Sequence, residues 1–256
     1  MSTFAAELLH PDLLRDVSIL VVTAPAPAAE HPAVEHPTGE QLPAESFSQA
    51  VCAACEQLGG QVRVHAYVRD MDDDESSMDK AVMAVVPAAD TGPAADAVPV
   101  PAADAAPAAD AVPAAYSTSA AASGLEPGRI DMLVVDGAGL FASGGLNACL
   151  HDAWDATRAV VNLAFLPARR GGRIVYLAPA PGADRSEIGE QTEPARAGLE
   201  NLARTLSIEW ARRAINVVTI ALGDATTPGE AAALTAYLAS PAGAYFSGCL
   251  FDLRGI

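Results

Sequence analysis

The C-terminal third reads GGRIVYLAPAPG from Gly171, EPARAGLENLARTLSIEWARRAINVVTIALG from Glu193 and EAAALTAYLASPAGAYFSGCLFDLRG from Glu230. Arg173 to Leu177 is a short apolar, β-branched run behind a Gly-Gly turn, the pattern of a buried strand. From Pro194 the period changes. Leu199, Leu202, Ala203, Leu206 and Trp210 recur at helical spacing and make one apolar face. Pro194 suits a first helical turn, where its missing N–H costs nothing. Arg212 and Arg213 favour the negative end of that helix. Ile215 to Leu222 is a second apolar run, broken by Gly223. Glu230 to Leu238 is helical again, Ser240-Pro241 ends it, and Cys249 to Leu253 is a last short strand. Apolar strands alternating with helices predict an α/β fold with a parallel sheet covered on both faces.

Working back, Leu146 to Arg170 predicts a helix, with Trp154, Arg158, Val161 and Phe165 near helical spacing. Arg129 to Val135 predicts a strand, followed by the turn Asp136-Gly137-Ala138-Gly139. Val17 to Val22 is the natural first strand. Ser46 to Leu58 reads as a helix stopped by Gly59-Gly60, and Gln61 to Val68 as the second strand. Ala5 to Leu14 suggests a leading helix or arm, and Val82 to Val86 a remnant strand. From Pro87 to Ala115 the tetrad PAAD recurs at Pro87, Pro93, Pro101 and Pro107. Regular prolines with few large apolar groups cannot make a core, so 87–115 reads as a disordered low-complexity Pro/Ala/Asp insertion in one domain spanning 1–256.

The stretches Gly171–Val175, Ala197–Glu209, Ile215–Gly223 and Ala233–Gly248 resemble the C-terminal half of the short-chain dehydrogenase/reductase family, in particular proteins like 3-oxoacyl-ACP reductase. The resemblance implies a Rossmann-like, doubly wound parallel sheet that binds NAD(H) or NADP(H) and moves hydride to or from a carbonyl or alcohol carbon. It also implies an interface between subunits made by the helices of 146–170 and after Pro194. Here the residues that carry the family's chemistry are different. The family's first strand leads into T-G-x-x-x-G-x-G. Aligned on Thr23, its glycines fall on Ala24, Ala28 and Glu30, with Pro25 and Pro27 between them. Glycine lets the backbone approach a pyrophosphate, and the following N–H groups bind it. Two prolines remove donors, and Glu30 sets a carboxylate near phosphate charge. Arg69, followed at once by Asp70, stands where NADP-preferring members often keep a base.

The catalytic residues are also replaced. The family uses a serine after the GRIV strand, a tyrosine, and a lysine four residues beyond the tyrosine. Y-x-x-x-K spacing puts phenol and ammonium on one helix face, where the cation pulls the phenol toward neutrality. The aligned positions hold Pro179, Thr192 and Arg196. Proline offers no side-chain hydrogen bond, a threonine hydroxyl is a far weaker acid than phenol, and arginine is not a lysine equivalent. No shifted register restores the motif: the only lysine is Lys80, and none of the five tyrosines has a lysine four residues on. The candidate helix asparagines, Asn147 and Asn162, do not align with the family's. Thr23, Asp136, Gly139 and Thr227 remain as candidate cofactor contacts, and Tyr176 as a group next to the expected serine.

Charge and cysteine content narrow the reading. The net charge of −17 lies almost wholly in residues 1–127, which hold 4 basic and 19 acidic side chains; residues 128–256 hold 11 and 13. That balance argues against a nucleic-acid partner, which needs a basic face. The acid run at 72–75 reads as solvated. No run of about 18 apolar residues predicts a membrane span, and no signal sequence is read, so the expected compartment is the cytoplasm. Cys52 and Cys55 form a C-x-x-C in an alanine-rich helix with no second pair, which reads as structural thiols. His31 and His36 read as loop residues, and no metal site is expected. The sequence therefore predicts a pseudoenzyme on an oxidoreductase scaffold: a homo-oligomer (dimer or tetramer), or a partner of an active homologue, with no cofactor. The alternative is an NAD(H)- or NADP(H)-dependent oxidoreductase with atypical catalytic groups.

Overall fold

The computed structural model describes residues 9–25, 46–67, 77–85, 129–181 and 191–255. The first strand, β1, is Ser18–Thr23. Helix α1, Phe47–Gln57, and strand β2, Gln61–Ala66, follow it. Helix α2 is Ser77–Val85 and strand β3 is Met132–Val135. Helix α3, Gly137–Val160, runs on through a π-turn at Val161–Phe165 and a last turn at Leu166–Ala168. Then come β4, Gly172–Ala178; α4, Thr192–Glu209; β5, Ile215–Ala221; α5, Pro228–Ala239; and β6, Leu250–Asp252.

The six strands form one sheet in the order β2-β1-β3-β4-β5-β6. Every pairing is parallel. The predicted doubly wound α/β fold is what forms. Strand residues alternate between two cores. Leu20, Val22, Leu133, Val135, Ile174 and Tyr176 face α2, α3 and α4. Ile19, Val21, Met132, Val134, Val175 and Leu177 face α1 and α5. The chain winds outward from β1 to β2, then returns to place β3 on the other side of β1. That reversal leaves a crevice at the carboxyl ends of β1 and β3, where ligands bind in open α/β sheets.

Several local expectations change. The remnant strand at Val82–Val86 is instead part of α2 over its described residues, since Met78 and Val82 bury one turn apart in the core. The helix expected from Leu146 starts nine residues earlier, because Asp136 caps it: its Oδ1 accepts the Gly139 N–H at 2.9 Å. Its first segment ends in a kink at Gly145 (φ 68°, ψ −160°). Gly137 permits a close approach, since a Cβ there would lie 2.7 Å from Leu199 Cδ1 and 2.8 Å from the Leu177 carbonyl. At the chain start, residues 11–16 form turns rather than a helix. The PAAD tract, Arg69, His31, His36, Ala28 and Glu30 lie outside the described residues. Among the described residues no helix is long and apolar enough to cross a membrane.

Candidate functional site

The carboxyl ends of β1, β3, β4 and β5 carry the predicted site residues in two groups. The first lies over the crevice. Thr23 ends β1 and Asp136 follows β3. The Thr23 hydroxyl donates to Asp136 Oδ2 at 3.2 Å, and Ser48 Oγ lies 3.4 Å from the same hydroxyl. Asp136 is only 3 % exposed. Burial raises its carboxyl above the usual carboxylate range, opposed by its hydrogen bonds to Gly139 N–H, Thr23 and Ser48. Sequence reading placed Thr23, Asp136 and Gly139 as separate candidates, and the structure gathers them into one hydrogen-bonded cluster.

Helix α1 begins at this cluster. Ser46 caps it: Ser46 Oγ accepts the Gln49 N–H at 3.2 Å, and the Ser46 N–H donates to Gln49 Oε1 at 3.3 Å. This capping box takes up donors that a pyrophosphate would otherwise receive at a helix start. Ser48 was missed from the sequence, although the S-x-x-Q spacing of Ser46 and Gln49 marks the helix start beside it.

The second group holds Pro179 and Arg196, two of the positions that the family resemblance implies for catalysis. Pro179 follows β4 and is buried. Arg196, on α4, is 5 % exposed. Its guanidinium donates to the carbonyl of Pro179, and at 2.8 Å to the carbonyl of Leu222, which follows β5. One cation thus ties the ends of two strands. Its Nε lies 3.5 Å from exposed Glu193, a contact that water screens. Burial lowers the guanidinium's pKa, with Glu193 opposing the shift, and arginine stays charged nonetheless. Buried Nη2 has no hydrogen-bond partner among the described residues. Arg196 lines a cavity of about 70 Å³, bounded also by Glu193, Glu200, Thr219 and Arg254 among others. That space suits a few waters, whereas sites for cofactor-sized ligands run to roughly 300–1,000 Å³.

The remaining candidates have structural partners. Thr192 is buried at the start of α4. Thr227 caps α5, accepting the Glu230 N–H at 3.3 Å while its own N–H donates to Glu230 Oε2 at 2.8 Å. Tyr176 is fully buried, its hydroxyl 2.7 Å from Thr157 Oγ1, and burial pushes its phenol pKa up, away from any acid–base role near neutrality. Asn147 and Asn162 are exposed. Burial also raises the thiols of the free Cys52, to about 11, and Cys55.

The residues present do not fit a dinucleotide held in the ordinary way. The Ser46–Gln49 box takes up the Gln49 N–H at the helix start, a buried carboxylate bonds to Ser48 in the first turn, and the Arg196 cation is bonded to two carbonyls.

The parallel six-stranded sheet and its strand order define the fold of the short-chain dehydrogenases. The chain is similar to a short chain dehydrogenase from Mycobacterium smegmatis, with 20 % identity, 96 % of this chain and 95 % of that one covered, and a TM-score of 0.61. It is also similar to BdcA (YjgI) from E. coli, with 13 % identity, 94 % and 100 % covered, and a TM-score of 0.51. No protein-family model and no curated protein matches the sequence.

Proposed function

We propose that this chain is a non-catalytic protein on the short-chain dehydrogenase fold. It acts as a cytoplasmic structural or regulatory subunit, either as a homo-oligomer or beside an active homologue, with no nicotinamide cofactor and no nucleic-acid or membrane partner. The bonding of Arg196 to the Pro179 and Leu222 carbonyls carries this reading. A group that must meet a ribose or tune a proton donor needs its hydrogens free, and here two of them hold the backbone together. Pro179, Thr192 and buried Tyr176 supply no replacement proton donor of matched acidity.

Trp154 on α3 is 41 % exposed and Ile208 on α4 is 77 % exposed, which supports an oligomer built through these two packed helices. Native mass measurement of the purified chain tests this part. A dimer, a tetramer or a co-purifying homologue is the expected result, and a monomer at micromolar concentration refutes it.

A second reading, an atypical NAD(H)- or NADP(H)-dependent oxidoreductase, draws on the unpartnered Arg196 Nη2. A buried guanidinium nitrogen is well suited to a carboxylate or sugar hydroxyl. Titration with NADH and NADPH, followed by melting temperature in the native chain and in Arg196→Met, separates the two readings.

A further inference from the structure

Six arginines collect at the amino end of the sheet, opposite the site described above. Arg129 precedes β3; Arg169, Arg170 and Arg173 surround the entry to β4; Arg212 and Arg213 lie in the turn before β5. They line two adjoining hollows of about 450 and 490 Å³ that share Arg170, Gly171 and Ala214. Each volume falls in the range of small-ligand sites, roughly 300–1,000 Å³.

Two of the six arginines are engaged. Arg129 pairs with Asp131 at 2.8 Å, and Arg173 donates to the Ala239 carbonyl. The guanidiniums of Arg169, Arg170, Arg212 and Arg213 are exposed and make no hydrogen bond or ion pair among the described residues. Backbone contact holds the two loops that carry them together. The Gly172 N–H donates to the Ala214 carbonyl at 3.2 Å. Gly171, with φ 77°, has no room for a Cβ against that same carbonyl. Arg169 (φ 53°) and Ala214 (φ 54°) are also left-handed. Both close helical turns as left-handed caps.

The simplest explanation is compensation of helix dipoles, since each arginine pair follows a helix end. Two helix ends supply only about −0.5 charge each, against four cations. Most of the positive charge is therefore left over. A large acidic partner would also meet the rest of a chain of net charge −17. A compact anion in the hollow responds mainly to the nearest guanidiniums, because charges are screened beyond about 8 Å at physiological salt. Guanidinium geometry matches phosphate oxygens two at a time.

We propose that the amino end of the sheet binds a small polyanion of the organic polyphosphate class, held by Arg169, Arg170, Arg212 and Arg213. This proposal does not rest on the chain being non-catalytic.

Calorimetric titration of the full chain with tripolyphosphate tests it. The expected result is saturable one-to-one binding in the micromolar range at low salt. It should weaken about tenfold or more in Arg169→Gln/Arg170→Gln and in Arg212→Gln/Arg213→Gln, with melting temperatures showing both variants folded. A parallel titration with adenosine triphosphate distinguishes a nucleotide, which binds more tightly than tripolyphosphate, from a bare phosphate chain, which binds equally well. Three results overturn the proposal: no saturable binding, binding unchanged in both variants, or equal competition by sulfate at matched ionic strength, which means an adventitious ion only. Binding of polyglutamate or an oligonucleotide without tripolyphosphate binding also overturns it, and assigns the face to a macromolecule.

Discussion

The two ends of the sheet differ in how their polar groups are spent. At the carboxyl end, Asp136 serves Gly139 and Thr23, and Arg196 serves the carbonyls of Pro179 and Leu222. These groups hold the fold together. At the amino end, four guanidiniums stand exposed with no partner among the described residues. A parallel α/β sheet offers its carboxyl end to ligands by geometry. Here the described side chains at that end bond to one another and to the backbone, and charge accumulates at the other. The general point is that a site is located by unspent bonding capacity as much as by topology.

If the carboxyl end is structural, changes there should cost stability. The largest effect is expected for Arg196→Met. It keeps most of the volume but orphans two buried carbonyls, and should destabilise the chain by about 2–4 kcal/mol in denaturant unfolding. Arg196→Lys should recover part of that loss. A result near zero for Arg196→Met would mean that the cation is held for a ligand. Gly137→Ala comes next. The new methyl meets Leu199 and the Leu177 carbonyl, so a loss of about 1–3 kcal/mol is expected by the same measurement. Tyr176→Phe removes one buried hydrogen bond to Thr157 and should cost about 1 kcal/mol.

The smallest effect sharpens the contrast through pH. Burial raises the carboxyl of Asp136 in the folded chain. The folded state therefore holds this proton more tightly than the unfolded state. The stability this group contributes is fully present below the unfolded value of about 3.9 and is lost as pH rises through the higher folded value. Asp136→Asn keeps an acceptor for Gly139 and carries no charge. Its melting temperature relative to the native chain should be higher at about pH 8 than at about pH 4. The opposite slope would mean that Thr23, Ser48 and Gly139 outweigh burial.

Most of the fold was legible because its signals are local. The β-branched runs at β3, β4 and β5 and the 3.6-residue period of α4 depend only on neighbours in sequence. The absence of the Y-x-x-x-K pair was legible too, since the lack of a lysine four residues after any tyrosine requires no alignment. The bonding of the residues at those positions was not. Arg196 meets Pro179 and Leu222 from 17 and 26 residues away, and only the packing of α4 on β4 and β5 brings those carbonyls within reach. The same holds for Thr23 and Asp136, 113 residues apart. The α2 segment was misread because a short apolar run with three β-branched residues does not distinguish strand from helix. The basic face escaped notice because residues 128–256 sum almost to neutrality, and a sum carries no position.

Cofactor binding is the direct test. The full chain, titrated with NADPH and with NADH into the millimolar range, should show no saturable shift in melting temperature that depends on Arg196; any shift from the amino-end arginines should persist unchanged in Arg196→Met. Saturable micromolar binding of either nucleotide, abolished by Arg196→Met in a chain that remains folded, would contradict the reading of this end of the sheet as structural.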